Sequence, residues 1–286
     1  MTADTGRILG LLLLVFLSGC RQTQGIGPST PLFHPASYAI YYGHLPIYRN
    51  LDRYDWVIVS EDFPPEHTSR SRYFAYLTIG EIDKEGKIAK RLDRTMGQKG
   101  FQQILLENNP HWNSWVADIR SPAFRTILLK QVEADERKGF RGIFLDTLDS
   151  PIEYEESHPS KGKGLQSALI SFILELHRLH PDTPIIVNRG FPVLSRIANS
   201  ISGILFEDFC SMYDDDRHRY VTVPENLRNK ELSIIRAIRH ANPALVSLAL
   251  DYGSPRDGVL RRHCANMAQR NHLIPFFSNR NLDEIP

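Results

Sequence analysis

Asp146 and Asp149 stand three residues apart at the end of the run GFRGIFLDTLD, residues 139–149. Ile143, Phe144 and Leu145 ahead of them are strand formers with no polar alternation, so both faces of this segment should be covered, and Asp146 should end a buried parallel strand. In parallel α/β folds that end faces the ligand, because the loops there vary while the strands beneath support them. A second acid, Glu207, closes the run GILFE, residues 203–207. Paired carboxylates across a sugar-sized cleft can cleave a glycosidic bond: one protonates the leaving oxygen, and the other attacks the anomeric carbon or activates water. Asp146 and Glu207 are the candidate pair, with Asp149 near enough to raise the pKa of Asp146 or to orient substrate. The competing uses are structural. Asp146 or Asp149 could cap the next helix or meet an arginine, and Glu207 could pair with Arg189.

Such a pair needs a frame that brings separate strand ends to one mouth. Strand-like runs recur at 38–42, 55–60, 74–80, 142–146, 184–188, 203–207, 245–252 and 274–278. Helical spacing separates most of them. The clearest case opens with Ser121 as N-cap and Pro122 in the first turn, places Phe124, Ile127, Leu128 and Val132 on one face, and ends at Gly139. Leu165, Leu169, Phe172, Ile173 and Leu176 repeat that spacing, as do Leu232, Ile235 and Ile238. Eight strands alternating with helices predict a single (β/α)8 TIM-like barrel. An extra apolar run, Trp115 to Ile119, reads as part of a long third loop. A doubly wound sheet is the rival architecture, but no GxGxxG or P-loop pattern follows the first strand.

On a barrel, the strand ends form a polar and heavily acidic set: Tyr42, Glu81, Asp118, Asp146 with Asp149, Asn188, Glu207 with Asp208, and Asp251 with Tyr252. These are the expected substrate-binding residues around the pair, joined by Tyr76. Tyr42, Tyr76, Trp112, Trp115 and Tyr252 could stack on sugar faces, though each could equally be packing. The histidines show no HxH or HExxH spacing, so neither a catalytic metal nor another cofactor is expected. A serine hydrolase lacks its GxSxG elbow. The acids Asp214, Asp215 and Asp216 read as a solvated loop.

With 286 residues, 42% hydrophobic and 23% charged, the chain can bury one large core. A net charge of +1 and the lack of a basic stripe argue against nucleic acid. Arg7 precedes the apolar run Ile8 to Leu17, which is too short to span a bilayer and reads as a signal peptide. Leu17, Ser18, Gly19 and Cys20 look like the lipobox of bacterial lipoproteins, which would make Cys20 the lipidated N-terminus. Arg21 after the cysteine favours the outer membrane. The expected division is a signal peptide over 1–19, lipidated Cys20 and a flexible tether over 20–36, and the catalytic domain over 37–286. That makes a monomer held at the cell envelope by its lipid anchor. Cys210 and Cys264 read as buried thiols, with a disulfide as the other option.

The motifs YYG (41–43), AYLTIGE (75–81), WVADIRSPAFR (115–125), GFRGIFLDTLD, VNRG (187–190), LFE (205–207) and LDY (250–252) together resemble glycoside hydrolase family 114. The hydrolase domain of Pel polysaccharide systems is similar. The resemblance covers nearly the whole domain. It implies a (β/α)8 barrel that cleaves α-1,4-linked galactosamine polymers internally, with Asp146 as nucleophile and Glu207 as general acid/base. Tyr42, Glu81, Asp118, Asp149, Asn188 and Tyr252 would then line the subsites. Arg141 stands where the family's motif commonly has an aspartate. An acidic mouth on a near-neutral chain suits a polymer that carries ammonium groups. The alternatives are a non-catalytic polysaccharide-binding lipoprotein and a glycosidase for another α-galactoside.

Overall fold

Eight apolar runs become eight parallel strands in the computed structural model, which describes residues 34–65 and 69–286. The signal segment, Cys20 and the tether as far as residue 33 lie outside the described residues. Strands β1 (Tyr38–Tyr41), β2 (Trp56–Val59) and β3 (Arg72–Thr78) begin the barrel. The chain then leaves it for a three-stranded antiparallel sheet of β4 (Glu81–Asp83), β5 (Leu105–Asn109) and β6 (Ser114–Ala117). It returns as β7 (Ile143–Asp146), β8 (Ile185–Asn188) and β9 (Gly203–Glu207). A hairpin of β10 (Ser211–Asp214) and β11 (Arg219–Thr222) follows, before β12 (Val246–Tyr252) and β13 (Ile274–Ser278). The barrel order is β1-β2-β3-β7-β8-β9-β12-β13, parallel throughout. The ring is nearly closed: Tyr38 packs on Phe276 with ring centroids 5.6 Å apart, and the Tyr42 amide donates to the Leu282 carbonyl at 2.7 Å.

The helices are α1 (Tyr48–Leu51), α2 (Lys87–Gln103), α3 (Pro122–Lys138), α4 (Asp149–Ser157), α5 (Leu165–Leu179), α6 (Leu194–Ile197), α7 (Glu225–Ala241) and α8 (Gly258–Arg270). Helix α3 has the ends its sequence dictates. The Ser121 hydroxyl accepts the Phe124 amide, and Gly139 turns left-handed at φ 101°. Phe124, Ile127, Leu128 and Val132 are all buried, each such side chain contributing roughly 1.5–3 kcal/mol of transfer free energy.

Side chains fill the barrel in layers. Trp56 and Phe74 meet at 4.9 Å near its floor, beside Gly203 and Ile186. Gly142 has no room for a side chain, because a Cβ there would lie 2.3 Å from the Phe74 ring. Above this apolar floor the inward residues turn polar.

Two expectations are refined. The run after the third barrel strand forms β6 in the three-stranded sheet, not a ninth barrel strand. The expectation of two buried thiols is corrected: Cys210 and Cys264 form a disulfide with Cα atoms 5.4 Å apart, which ties the segment after β9 to α8. Fifty-four positions separate the two cysteines, so only the barrel brings them together. Among the described residues no helix is long and apolar enough to cross a membrane.

Candidate active site

Asp146 ends β7 and Glu207 ends β9, with Asn188 at the end of β8 between them. Side chains alternate along a strand, so these three point inward beside Tyr76 of β3 and Tyr252 of β12. The Asn188 Nδ2 group uses both hydrogens, one to Asp146 Oδ1 at 2.9 Å and one to Glu207 Oε2 at 2.6 Å. Those two contacts, 2.9 and 2.6 Å, limit the separation of the bonded carboxylate oxygens to at most about 5.5 Å. The fork of an amide NH2 group reduces it to roughly 5 Å.

The two acids have different surroundings. Asp146 also receives the Tyr76 hydroxyl at 2.8 Å and a backbone bond from Thr147. Burial raises its pKa, the donors from Asn188, Tyr76 and Thr147 oppose that rise, and the charge of Glu81 adds to it. Glu207 receives the Tyr252 hydroxyl and the Asn188 amide. Burial raises its pKa first, and the charge of Asp146 raises it further. Asp146 has more donors on its charged form, so of the two it is the anion and Glu207 holds the shared proton. Burial also pushes the phenols of Tyr42, Tyr76 and Tyr252 well up, which keeps them protonated as donors.

A repeated backbone device ends the three central strands. Thr147, Arg189 and Asp208, each immediately after a site residue, adopt left-handed φ values of 64°, 53° and 58°. A β-branched residue there is costly, on the order of 1–3 kcal/mol, and is held by its surroundings. The Thr147 hydroxyl meets Thr78 Oγ1 at 2.7 Å and accepts the Gly80 amide at 2.9 Å. Gly80 fits because a Cβ would lie 1.9 Å from the Thr147 carbonyl oxygen.

The remaining expected site residues fall into distinct places. Tyr42 packs edge-on against Tyr76 at 5.3 Å, and the charges of both acids act on its phenol. Glu81 is buried, accepting from Asn109 at 3.0 Å, from Ser150 at 2.6 Å and from Ser114. Asp118 accepts three bonds from its near neighbour Arg120, two from the guanidinium and one from the amide, and the guanidinium also binds the carbonyls of Lys161 and Lys163, so its charge fastens a loop. Asp149 accepts from Arg189 Nε and the Gly190 amide, both at 3.1 Å. The charge of Glu81 raises Asp146, and Asp146 and Glu207 act on each other. The possible Glu207–Arg189 ion pair does not form: Arg189 reaches Asp149 and Glu231, and touches Glu207 only at its backbone carbonyl.

Asp251, expected to line the mouth with Tyr252, is a correction. As its neighbour in β12 it points to the opposite face, fully buried, where Oδ1 accepts the amides of Cys210 at 2.6 Å and Ser211 at 3.0 Å. Its carboxyl and the two cysteine sulfurs cluster together, but the disulfide engages those sulfurs. Asp208 was noted only as the neighbour of Glu207. Burial is the main cause that pushes it up to about 8, which keeps Asp208 protonated at neutral pH. Apart from the alternation that separates Asp208 from Glu207, no sequence signal marks this.

A parallel eight-stranded barrel with two carboxylates bridged at the ends of its fourth and sixth strands defines a (β/α)8 glycoside hydrolase. The model of glycoside-hydrolase family GH114 matches residues 49–285, and the chain belongs to that family. It is similar to the glycoside hydrolase domain of PelA from Pseudomonas aeruginosa: 28% identity and TM-score 0.75 over 87% of this chain and 97% of that one. Ega3 from Aspergillus fumigatus, solved in complex with galactosamine, shares the fold at 12% identity and TM-score 0.64, over 90% of this chain and 95% of that one. No curated protein sequence matches the chain.

Proposed function

We propose that this hydrolase cleaves α-1,4-linked galactosamine and N-acetylgalactosamine exopolysaccharide within the chain, with retention at the anomeric carbon, while anchored by lipid on Cys20 to the outer membrane. The observation that carries the mechanism is the Asn188 bridge. It holds the bonded oxygens of Asp146 and Glu207 within about 5.5 Å, the spacing of a nucleophile with an acid/base rather than the wider gap that admits a water.

The chemistry follows from which acid is charged. Asp146 attacks the anomeric carbon as the bond to the glycosidic oxygen breaks, and Glu207 gives its proton to that oxygen. The glycosyl ester that forms has no charge on Asp146, which removes the nearby charge that raised Glu207. Glu207 is then a stronger acid and stays ionised, ready to take a proton from the water that displaces Asp146 and restores both groups. Asn188 Oδ1 is buried without a protein partner and suits a substrate hydroxyl or ammonium as donor.

Three observations support the substrate. The family is GH114, the structurally similar Ega3 was solved with galactosamine, and Asp149, Glu153 and Glu231 gather around a single guanidinium, Arg189, which also reaches the Glu207 backbone carbonyl. The anchor rests on the LSGC motif at residues 17–20 and the residue after it. The test is release of reducing ends from partially deacetylated α-1,4-galactosamine polymer by the domain from residue 36 onward, compared with Asp146→Asn and Glu207→Gln. Release by the parent and loss in both variants is the expected result. A folded parent that binds the polymer without cleaving it would make the protein a carbohydrate-binding lipoprotein.

A further inference from the structure

Three excursions from the barrel meet at one guanidinium. Trp112 sits in the turn between β5 and β6, in the insertion that follows the third barrel strand. Tyr213 and Asp215 belong to the hairpin after the sixth barrel strand, and Arg280 follows the eighth. The Arg280 guanidinium lies 4.8 Å from the Tyr213 ring centroid and 5.7 Å from that of Trp112, and it pairs with Asp215. Its amide donates to the Tyr220 hydroxyl at 3.2 Å, and Tyr220 packs edge-on against Tyr213 at 5.2 Å. Contacts of a cation within about 6 Å of an aromatic face are attractive.

These segments all emerge from the end of the barrel that carries Asp146 and Glu207. The turn that bears Arg280 is fastened to the first strand end, where the Leu282 carbonyl accepts the Tyr42 amide. The hairpin that bears Trp112 is fastened to Glu81 through Asn109 and Ser114. The third, sixth and eighth strands are two or three places apart around the ring of eight, so Arg280 links separate walls of the mouth. Trp112 is 66% exposed despite this engagement. A large aromatic surface left in water at the rim of a polysaccharide cleft offers a flat apolar face to the C–H face of a pyranose.

We propose that Trp112, Arg280 and Tyr213 form a strap at the rim that grips the polysaccharide chain away from the scissile bond. Trp112 stacks on a sugar ring, and Arg280 holds the strap together through both rings and Asp215. This rests on the proposed function for the identity of the chain bound, and it makes the enzyme selective for long chains. The three consecutive acids at 214–216 thereby gain a use: Asp215 is the counter-ion of the strap.

The test compares parent, Trp112→Ala and Arg280→Ala on galactosamine polymer and on the shortest oligomer that is cleaved. The strap predicts a loss of about tenfold in kcat/KM on polymer, carried by KM, and a loss at least fivefold smaller on the oligomer. Trp112→Phe should recover part of the polymer activity. Equal losses on both substrates, or none on either, overturn the strap. To separate its failure from failure of the proposed reaction, the same two substitutions in a Glu207→Gln background are run through gels containing the polymer. Retardation that weakens supports the strap even where no cleavage is seen, and retardation unchanged by either substitution overturns it.

Discussion

Asp251 and Tyr252 are neighbours in β12 and do opposite things. Tyr252 points into the barrel and donates to Glu207, while Asp251 points outward and holds the amides of Cys210 and Ser211 beside a disulfide. One residue of strand period separates a group that tunes catalysis from one that fixes the supporting loop. The inward and outward regions at this end of the barrel therefore make different demands: the inward side keeps two acids unequal, and the outward side keeps the segment after Glu207 in place.

The largest expected effect lies on the inward side. Asp146→Asn and Glu207→Gln should each lower kcat by about 10³-fold or more while the domain stays folded, measured by reducing-end release and circular dichroism. Asn188→Ala removes the bridge and leaves both acids short of a donor. Its kcat should fall about 100-fold with little change in KM, and a loss below threefold would mean the bridge does not organise the pair.

The next comparison separates the two neighbours. Tyr252→Phe removes a donor that lowers the pKa of Glu207. The alkaline limb of kcat/KM should move to higher pH, with thermal stability nearly unchanged. Asp251→Asn should do the reverse. Burial raises Asp251 from 3.8 to about 6, opposed by the backbone amides it binds. A raised acid contributes stability that is full below its unfolded pKa near 3.8 and is lost as pH rises through about 6. Asparagine can still accept both amides and carries no charge, so the variant should gain about 1–3 kcal/mol at pH 8 and nothing near pH 4, read from urea unfolding. The smallest catalytic effect belongs to the disulfide. Replacing both cysteines by serine should cost about 2–4 kcal/mol of stability and leave kcat of the folded enzyme within about twofold.

All eight barrel strands were legible in the sequence, because buried parallel strands are uninterrupted apolar runs and their boundaries moved by only a residue or two. The strand-end positions of Asp146 and Glu207 were legible for the same reason, as the first charges after such runs. The partners that make them unequal were less so. Tyr76 and Asn188 were expected to touch substrate; their hydrogen bonds to the acids themselves were not foreseen, because those depend on which strands are neighbours. Asp251 was misplaced because an acid at a strand end can face either way, and only the register of β12 against β9 fixes the choice. The antiparallel sheet β4–β6 and the hairpin β10–β11 were not legible as pairs. Their segments are short and mixed in polarity, and the contacts that order them, such as Arg280 with Asp215 and Tyr213, join residues more than 60 positions apart.

The central claim is that Asp146 acts as a nucleophile across a gap too narrow for a water. The most direct measurement is proton NMR of the first sugar ends formed on an α-1,4-galactosamine oligomer, taken before mutarotation mixes the anomers. The α-anomer should appear first, the product of two displacements at the same carbon. The β-anomer appearing first would mean a single displacement by water, and it would contradict the assignment of Asp146 as nucleophile.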